Sequence, residues 1–452
     1  MKGGLKTAKA RAARSFAGSL RTGLVAAALA IALAGCATHP MMPTPVLYTG
    51  TDPRPLFAGL PIEERRPPLD LLYITDRAVA GDGGALRYTA ERSRSMAFGS
   101  AQIEFKENVG WDALVRESTT AERTTPVELE LGPTTELGRF PPIPYEVTVG
   151  PDGVRRLPAT VEAYEKAKQG LQAEIARRLA LAPRKEVVLF VHGYRTTFES
   201  AALTMGELCH FLGRDFVCGI FSWPAGGQRG ADFGYDVDRE SSEYAVEDLV
   251  KTIRIIAGTP GLQRIHLLAH SRGSDTLATA LADLSAEAYM LRSSPTDEFH
   301  IGNVVLIAPD IDGDVALQKI FKVFSDPDLP FGRRPDPGAV IPPSPGFNVT
   351  LYVSPDDKAL AAASNLFGSI ARLGRIDTRM LTPDQIKAIE LLRVVDIIEV
   401  EGTTDFFGHS YFTSNPRASA DIIALLRYGL RPGEPGRPIE HIAGAFWRVP
   451  EQ

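Results

Sequence analysis

The chain has 452 residues, 44% hydrophobic and 23% charged, with a formal net charge of −6. That length and apolar content suit one large α/β domain with an accessory segment, or two domains. The acidic balance argues against a polyanionic partner such as nucleic acid. The three cysteines form no cysteine–histidine cluster at zinc spacing, so neither a metal nor a cofactor is called for.

Met1 to Arg21 carries six basic residues and no acid, and after Thr22 an apolar run extends from Gly23 to Ala34. At about a dozen residues this run is short for a bilayer span but suits the core of a signal peptide. It ends Leu33-Ala34-Gly35-Cys36, which resembles a bacterial lipobox. Residues 1–35 are therefore expected to be removed and Cys36 acylated as the new amino terminus. Ala37 follows the cysteine and no aspartate is there. By resemblance to Gram-negative lipoproteins, this points to the outer membrane facing the periplasm, with the lipid as anchor. Cleavage leaves 43 basic against 55 acidic residues, a net charge of −12. Cys209 and Cys218 are then either one disulfide of an oxidising compartment or two buried thiols. Residues 36–68 read as a tether, because His39 to Pro68 contains eight prolines and no clear period.

Residues 69–158 read as an extension of strands and loops. Leu69 to Thr75, Leu86 to Tyr88 and Ser100 to Phe105 are strand candidates, and Trp111 to Pro158 suggests long loops over one face. From Ala159 to Leu430 the rhythm is regular. Ala159 to Leu181 has helical spacing. Val187 to Val191 is a continuous apolar run, as expected of a strand buried on both faces. Helix Glu199–Leu212, strand Phe216–Ser222, helix Ser241–Ile256, strand Arg264–Ala269 and helix Arg272–Ser285 follow. Strand Asn303–Ala308 and helix Asp314–Phe324 lead to a Pro-rich insertion, Ser325 to Gly346, either a lid or a plain surface loop. Strand Asn348–Val353, helix Lys358–Arg372, strand Asp396–Val400 and helix Arg417–Leu430 close the series. Residues 431–452 are left as a tail. Alternating strands and helices predict an α/β fold, a mainly parallel sheet with helices on both faces, whose ligand site lies beyond the carboxyl ends of the strands.

Three residues fall at such ends. Ser271, in Ala269-His270-Ser271-Arg272-Gly273, has the strand–turn–helix context of a nucleophile elbow, with alanine at the first glycine position. Asp357 follows the strand Asn348–Val353, and His409 follows the strand Asp396–Val400. Serine, aspartate, histidine is the order of the α/β-hydrolase fold. His409 would take the Ser271 proton and deliver it to the leaving group, and Asp357 would hold the imidazole tautomer. The backbone N–H groups of Tyr194 and Arg272 are the candidate oxyanion donors. Asp356 competes with Asp357, whose spacing to Ala359-Leu360 is the better one, and Asp310 is an alternative acid. His270 and His266 read as packing or core residues and His192 as fixing its own loop. Trp223 and Tyr235 either line a cleft or pack, and Asp238 anchors a loop.

The chain resembles a bacterial group of α/β-hydrolases of unknown function. The resemblance rests on Phe190-Val191-His192-Gly193-Tyr194, Ser222-Trp223-Pro224, Tyr235 with Asp238, and Ala269-His270-Ser271-Arg272-Gly273. It continues through Ala308-Pro309-Asp310-Ile311-Asp312, Tyr352-Val353-Ser354 with Asp357, Gly408-His409-Ser410-Tyr411, and upstream Ile74-Thr75-Asp76-Arg77 with Phe98-Gly99. It covers roughly residues 70 to 430 and implies a serine triad on Ser271, Asp357 and His409, with no substrate attached. Arg195 and Arg272 stand where that group usually has asparagine and methionine. The expected function is a membrane-tethered serine hydrolase acting on a small-molecule or lipid ester. The rival is a non-catalytic envelope lipoprotein that uses the same fold for binding or assembly.

Overall fold

The computed structural model describes residues 39–81, 85–106, 109–227, 231–319, 346–367, 372–393, 395–402, 405 and 407–451. The expected signal segment, Cys36 and all but the last residue of the 325–346 insertion lie outside them. Contacts divide the chain after Pro40, and the description that follows concerns residues 41–452.

The strands are β1 (Leu69–Val79), β2 (Tyr88–Phe105), β3 (Glu128–Arg139), β4 and β5 (Val147–Gly150, Gly153–Arg156), β6 (Glu186–Val191), β7 (Val217–Ser222), β8 (Arg264–His270), β9 (Ile301–Ile307), β10 (Asn348–Val353), β11 (Asp396–Val400), β12 (Glu440–Ala443) and β13 (Phe446–Val449). Apart from the β4–β5 hairpin they share one sheet in the order β3-β2-β1-β7-β6-β8-β9-β10-β11-β13-β12. From β1 to β13 every neighbouring pair is parallel, while β2, β3 and β12 join antiparallel. The architecture is the expected one.

The helices are α1 (Trp111–Ser118), α2 (Pro158–Leu181), α3 (Phe198–Phe211), α4 (Ala231–Tyr244), α5 (Val246–Ala257), α6 (Gly273–Met290), α7 (Pro295–Phe299), α8 (Gly313–Lys319), α9 (Lys358–Phe367), α10 (Pro383–Leu392), α11 (Tyr411–Ser414) and α12 (Pro416–Tyr428). The central strands are apolar throughout because each side of the sheet is covered. Val188 and Phe190 of β6 pack with Leu208 of α3 and Ile422 of α12. Val187, Leu189 and Val191 pack with Leu171 of α2, Ile253 of α5 and Leu277 of α6. Each such side chain contributes about 1.5–3 kcal/mol when fully buried. Local chemistry sets the helix ends. The Thr197 side chain accepts from Ser200 N at the start of α3. At the start of α12 the Asn415 side chain accepts from the amides of Arg417 and Ala418, and Gly429 at φ 65° ends the helix.

Several expectations need correction. The Pro-rich 36–68 stretch is no free tether over its described length, since Met41, Met42, Tyr48, Leu56, Phe57 and Leu60 are buried in the core. Proline density limits regular structure without preventing an extended segment from packing. The region read as loops holds α1, β3 and the β4–β5 hairpin; β3 is rich in polar residues, so apolar alternation does not betray it. Helix Ser241–Ile256 is instead the pair α4 and α5, and α10 was not foreseen. The tail carries β12 and β13, with Phe446 and Val449 buried against β11. Cys209 and Cys218 are joined by a disulfide, their Cα atoms 6.1 Å apart.

The order β7-β6-β8 places the site. After β6 the chain goes through α3 to β7 on one side, then returns through α4 and α5 to β8 on the other. Such a reversal opens a crevice beyond the carboxyl ends of β6 and β8.

Candidate active site

β8 ends at His270, and Ser271 turns the chain into α6 with φ 53°. A left-handed conformation at a residue with a Cβ costs of order 1–3 kcal/mol and persists only where surroundings enforce it. Here Ser271 N donates to Ile307 O at 2.9 Å, and Ser271 O accepts from Asp310 N and Ser274 N, each at 3.1 Å. Two glycines let the turn press onto the loop after β6. A Cβ on Gly273 would lie 2.3 Å from His192 O, and one on Gly193 would lie 2.7 Å from Ser271 Cβ. Ala269, the departure from the glycine pattern, is simply buried.

Asp357 is fully buried at the exit of β10. Its Oδ1 accepts from Leu360 N at 2.9 Å, and its Oδ2 lies 2.6 Å from His409 Nδ1. A carboxylate only accepts, so Nδ1 carries the proton and a neutral ring has its lone pair on Nε2. Among the described residues that Nε2 makes no hydrogen bond, to Ser271 Oγ or otherwise. Contacts of this kind are often long until substrate closes them. The ring stands 4.7 Å from that of His270, the residue before Ser271, and His270 Nε2 donates to His409 O at 3.1 Å. That nitrogen is therefore committed. Burial, then the neighbouring His409, holds the His270 pKa down to about 3. Asp356 is exposed.

One residue shaping this corner was missed in the sequence. Asp405 Oδ1 accepts from the amides of Phe407, Gly408 and His409, and its Oδ2 from Ser410 N. This carboxylate folds the loop that presents His409. Its available signal was an aspartate three residues before a glycine that adopts φ 66°.

The other candidates fall into two groups. Asp310 is held by other partners: its Oδ2 accepts from the Tyr235 hydroxyl at 2.7 Å and its Oδ1 lies 3.3 Å from Arg372. The Tyr235 ring packs 5.2 Å from that of Tyr194. The Arg272 side chain reaches Ser242 and Asp275. Its backbone N–H and that of Tyr194 have no acceptor among the described residues. Asp238 anchors loops, taking Arg195 N at 2.9 Å and Gly226 N at 3.3 Å. Trp223 is buried, stacked on His192 at 5.1 Å, and donates to His192 O at 2.7 Å. His266 is a core residue between Glu186 and Asn303. Among the described residues no cluster of histidine, cysteine, aspartate or glutamate is arranged to hold a metal ion.

A family profile described as "Alpha/beta hydrolase of unknown function (DUF900)" matches residues 167–427. The chain belongs to that family. No curated protein matches it. Among solved structures, carboxylesterase CesB from Bacillus subtilis is 11% identical over 58% of this chain and 99% of its own, at a TM-score of 0.27. Aspergillus fumigatus lipase B is 14% identical over 56% and 54%, at 0.27. Esterase B from Lactobacillus rhamnosis is 14% identical over 41% and 62%, at 0.23, so the match spans less than two thirds of that esterase. Likenesses this distant say nothing of substrate.

Proposed function

We propose that this DUF900 chain is a serine hydrolase that cleaves carboxylic esters of small molecules or lipids through an acyl-enzyme. The observation that carries the reading is the 2.6 Å contact of His409 Nδ1 with buried Asp357, beside a serine held in the left-handed conformation. Ser271 Oγ attacks the ester carbonyl as its proton passes to His409 Nε2. The N–H groups of Tyr194 and Arg272 take the developing oxyanion. The intermediate collapses and the alcohol leaves with the His409 proton. Water, deprotonated by the same nitrogen, then releases the acid. The lipobox supplies the second half of the proposal, an acylated Cys36 that holds the enzyme to the cell envelope. No helix of the described residues is long and apolar enough to cross a membrane.

A fluorophosphonate probe tests the chemistry. It is expected to label the wild type at Ser271 and to spare Ser271→Ala, and Asp357→Asn should lower kcat on p-nitrophenyl butyrate by about 10³–10⁴. A folded wild type that stays unlabelled sinks the enzyme reading and leaves the binding lipoprotein in its place. Fractionating cells with the same probe tests the anchor, since Cys36→Ser should move the labelled band from membrane to soluble fraction.

A further inference from the structure

Arg77, near the carboxyl end of β1, is 1% exposed and hydrogen-bonds to no carboxylate among the described residues. All five of its N–H donors are used. Nε donates to Ser222 Oγ at 2.8 Å, and Nη1 to Ala225 O at 2.8 Å and Thr89 O at 3.1 Å. Nη2 donates to Thr196 O at 2.7 Å and faces His192 Nε2 at 3.2 Å. One side chain thus ties β1 to the loops after β6 and β7.

The contact with His192 fixes more than a distance. A guanidinium can only donate, so His192 Nε2 must accept. Ser222 Oγ, 3.3 Å from the same nitrogen, accepts the hydrogen bond from Arg77 Nε and can turn its own proton toward the ring. His192 therefore carries its proton on Nδ1, which lies 3.0 Å from Gly193 O. Burial, then the Arg77 charge, drives His192 well below its ordinary pKa, so the ring stays neutral. The carbonyl of Gly193 and the N–H of Tyr194 belong to one planar trans peptide and point in opposite directions. Pinning the carbonyl therefore aims the N–H.

We propose that Arg77 is a positioning residue of the oxyanion site. By holding His192 as the Nδ1–H tautomer it clamps the Gly193–Tyr194 peptide, with the Tyr194 N–H turned away from His192. The inference rests on the reading of Tyr194 as an oxyanion donor. Its effect is a transition-state effect, because the oxyanion exists only after attack.

The test has two arms. In the wild type, long-range ¹H–¹⁵N spectra of ¹⁵N-histidine protein, with His192 assigned by comparison with His192→Asn, should report a neutral Nδ1–H ring from pH 5 to 8. In kinetics on p-nitrophenyl butyrate, Arg77→Met and His192→Ala should each lower kcat by roughly 10–100-fold with KM within about twofold, given that a whole donor is worth about 10²–10³. Affinity for a trifluoromethyl ketone should fall by the same factor. His192→Asn puts an amide donor near the Nδ1 position and should recover most of the loss. An Nε2–H ring, a loss confined to KM, or equal damage from His192→Asn and His192→Ala overturns the proposal. Absence of Ser271 labelling in the wild type defeats the esterase reading instead, and the spectra still decide the Arg77–His192 link.

Discussion

Gly273 and Gly193 decide whether Ser271 can stand where it does. A Cβ on Gly273 would lie within 2.6 Å of two carbonyl oxygens, those of Val191 and His192. Backbone on both sides leaves no flexible end to yield, so Gly273→Ala should cost about 2–3 kcal/mol by separating β6 from the elbow. The loss is read as a shift in the urea midpoint, and an unchanged midpoint would mean the elbow has slack. Gly193→Ala meets a side-chain carbon, Ser271 Cβ, at 2.7 Å, and should displace the nucleophile, lowering probe labelling more than stability. At this scale the three candidate catalytic positions were legible because each follows an apolar run in a fixed order. Asp357 could be chosen over Asp356 from spacing alone. Asp405 was not legible, and Arg77 entered only within the family motif Ile74-Thr75-Asp76-Arg77 with no role attached, because both act chiefly on backbone carbonyls and amides. Any residue supplies those groups, so the partners leave no trace in the sequence.

β1 shows what a single element contributes on its two faces. Arg77 points to the loops of the site, while Asp76 shares the opposite face with Leu72 and Ile74, toward α5. Asp76 is fully buried, and among the described residues neither carboxylate oxygen has a hydrogen-bond partner outside its own residue. Burial, then the charge of Asp248, raises its pKa well above the ordinary carboxylate range, while Arg77 and Lys251 oppose the shift. Lys251 is itself held by Asp248 at 2.6 Å. A folded pKa above the unfolded one means the native state keeps a proton that the unfolded chain releases near pH 4. Stability therefore falls as pH rises above that value, until the folded carboxyl also ionises. Asp76→Asn removes the linked proton. It should unfold at higher urea than wild type at pH 8, and the two midpoints should converge toward pH 4. A constant gap across that range would point to packing rather than ionisation. Elements such as β6, β10 and β11 were legible to within a residue, since burial on both faces makes them continuously apolar. β2 was read as two short strands because its middle, Glu91 to Ser95, is polar, with Glu91, Arg92 and Arg94 exposed and Ser93 and Ser95 half-buried. There the pairing is held by backbone, which composition does not report.

At the scale of the whole molecule, the segment after Pro40 straps the helices α3 and α12 together. Met42 N donates to Glu207 of α3 at 2.8 Å, and the Tyr48 hydroxyl donates to Phe211 O at 2.6 Å while accepting from Arg427 of α12 at 3.0 Å. Phe57 packs on Trp111 of α1 at 4.9 Å and on His210 of α3 at 5.0 Å. Six buried apolar side chains, Met41, Met42, Tyr48, Leu56, Phe57 and Leu60, at about 1.5–3 kcal/mol each, give an upper estimate of order 10 kcal/mol. That is comparable with the entire stability of an ordinary domain, about 5–15 kcal/mol. The strap lies outside the 167–427 stretch matched by the family profile, yet its loss would uncover the apolar flank of α3 and α12 and release the tie between them. A chain beginning at Met41 should therefore unfold in one cooperative step. One beginning at Arg65 should bind a hydrophobic dye and lose its near-ultraviolet dichroism, even though Ser271, Asp357 and His409 are all retained. If the shorter chain unfolds at the same urea concentration as the longer one, the strap is ornamental and the tether reading of this segment returns.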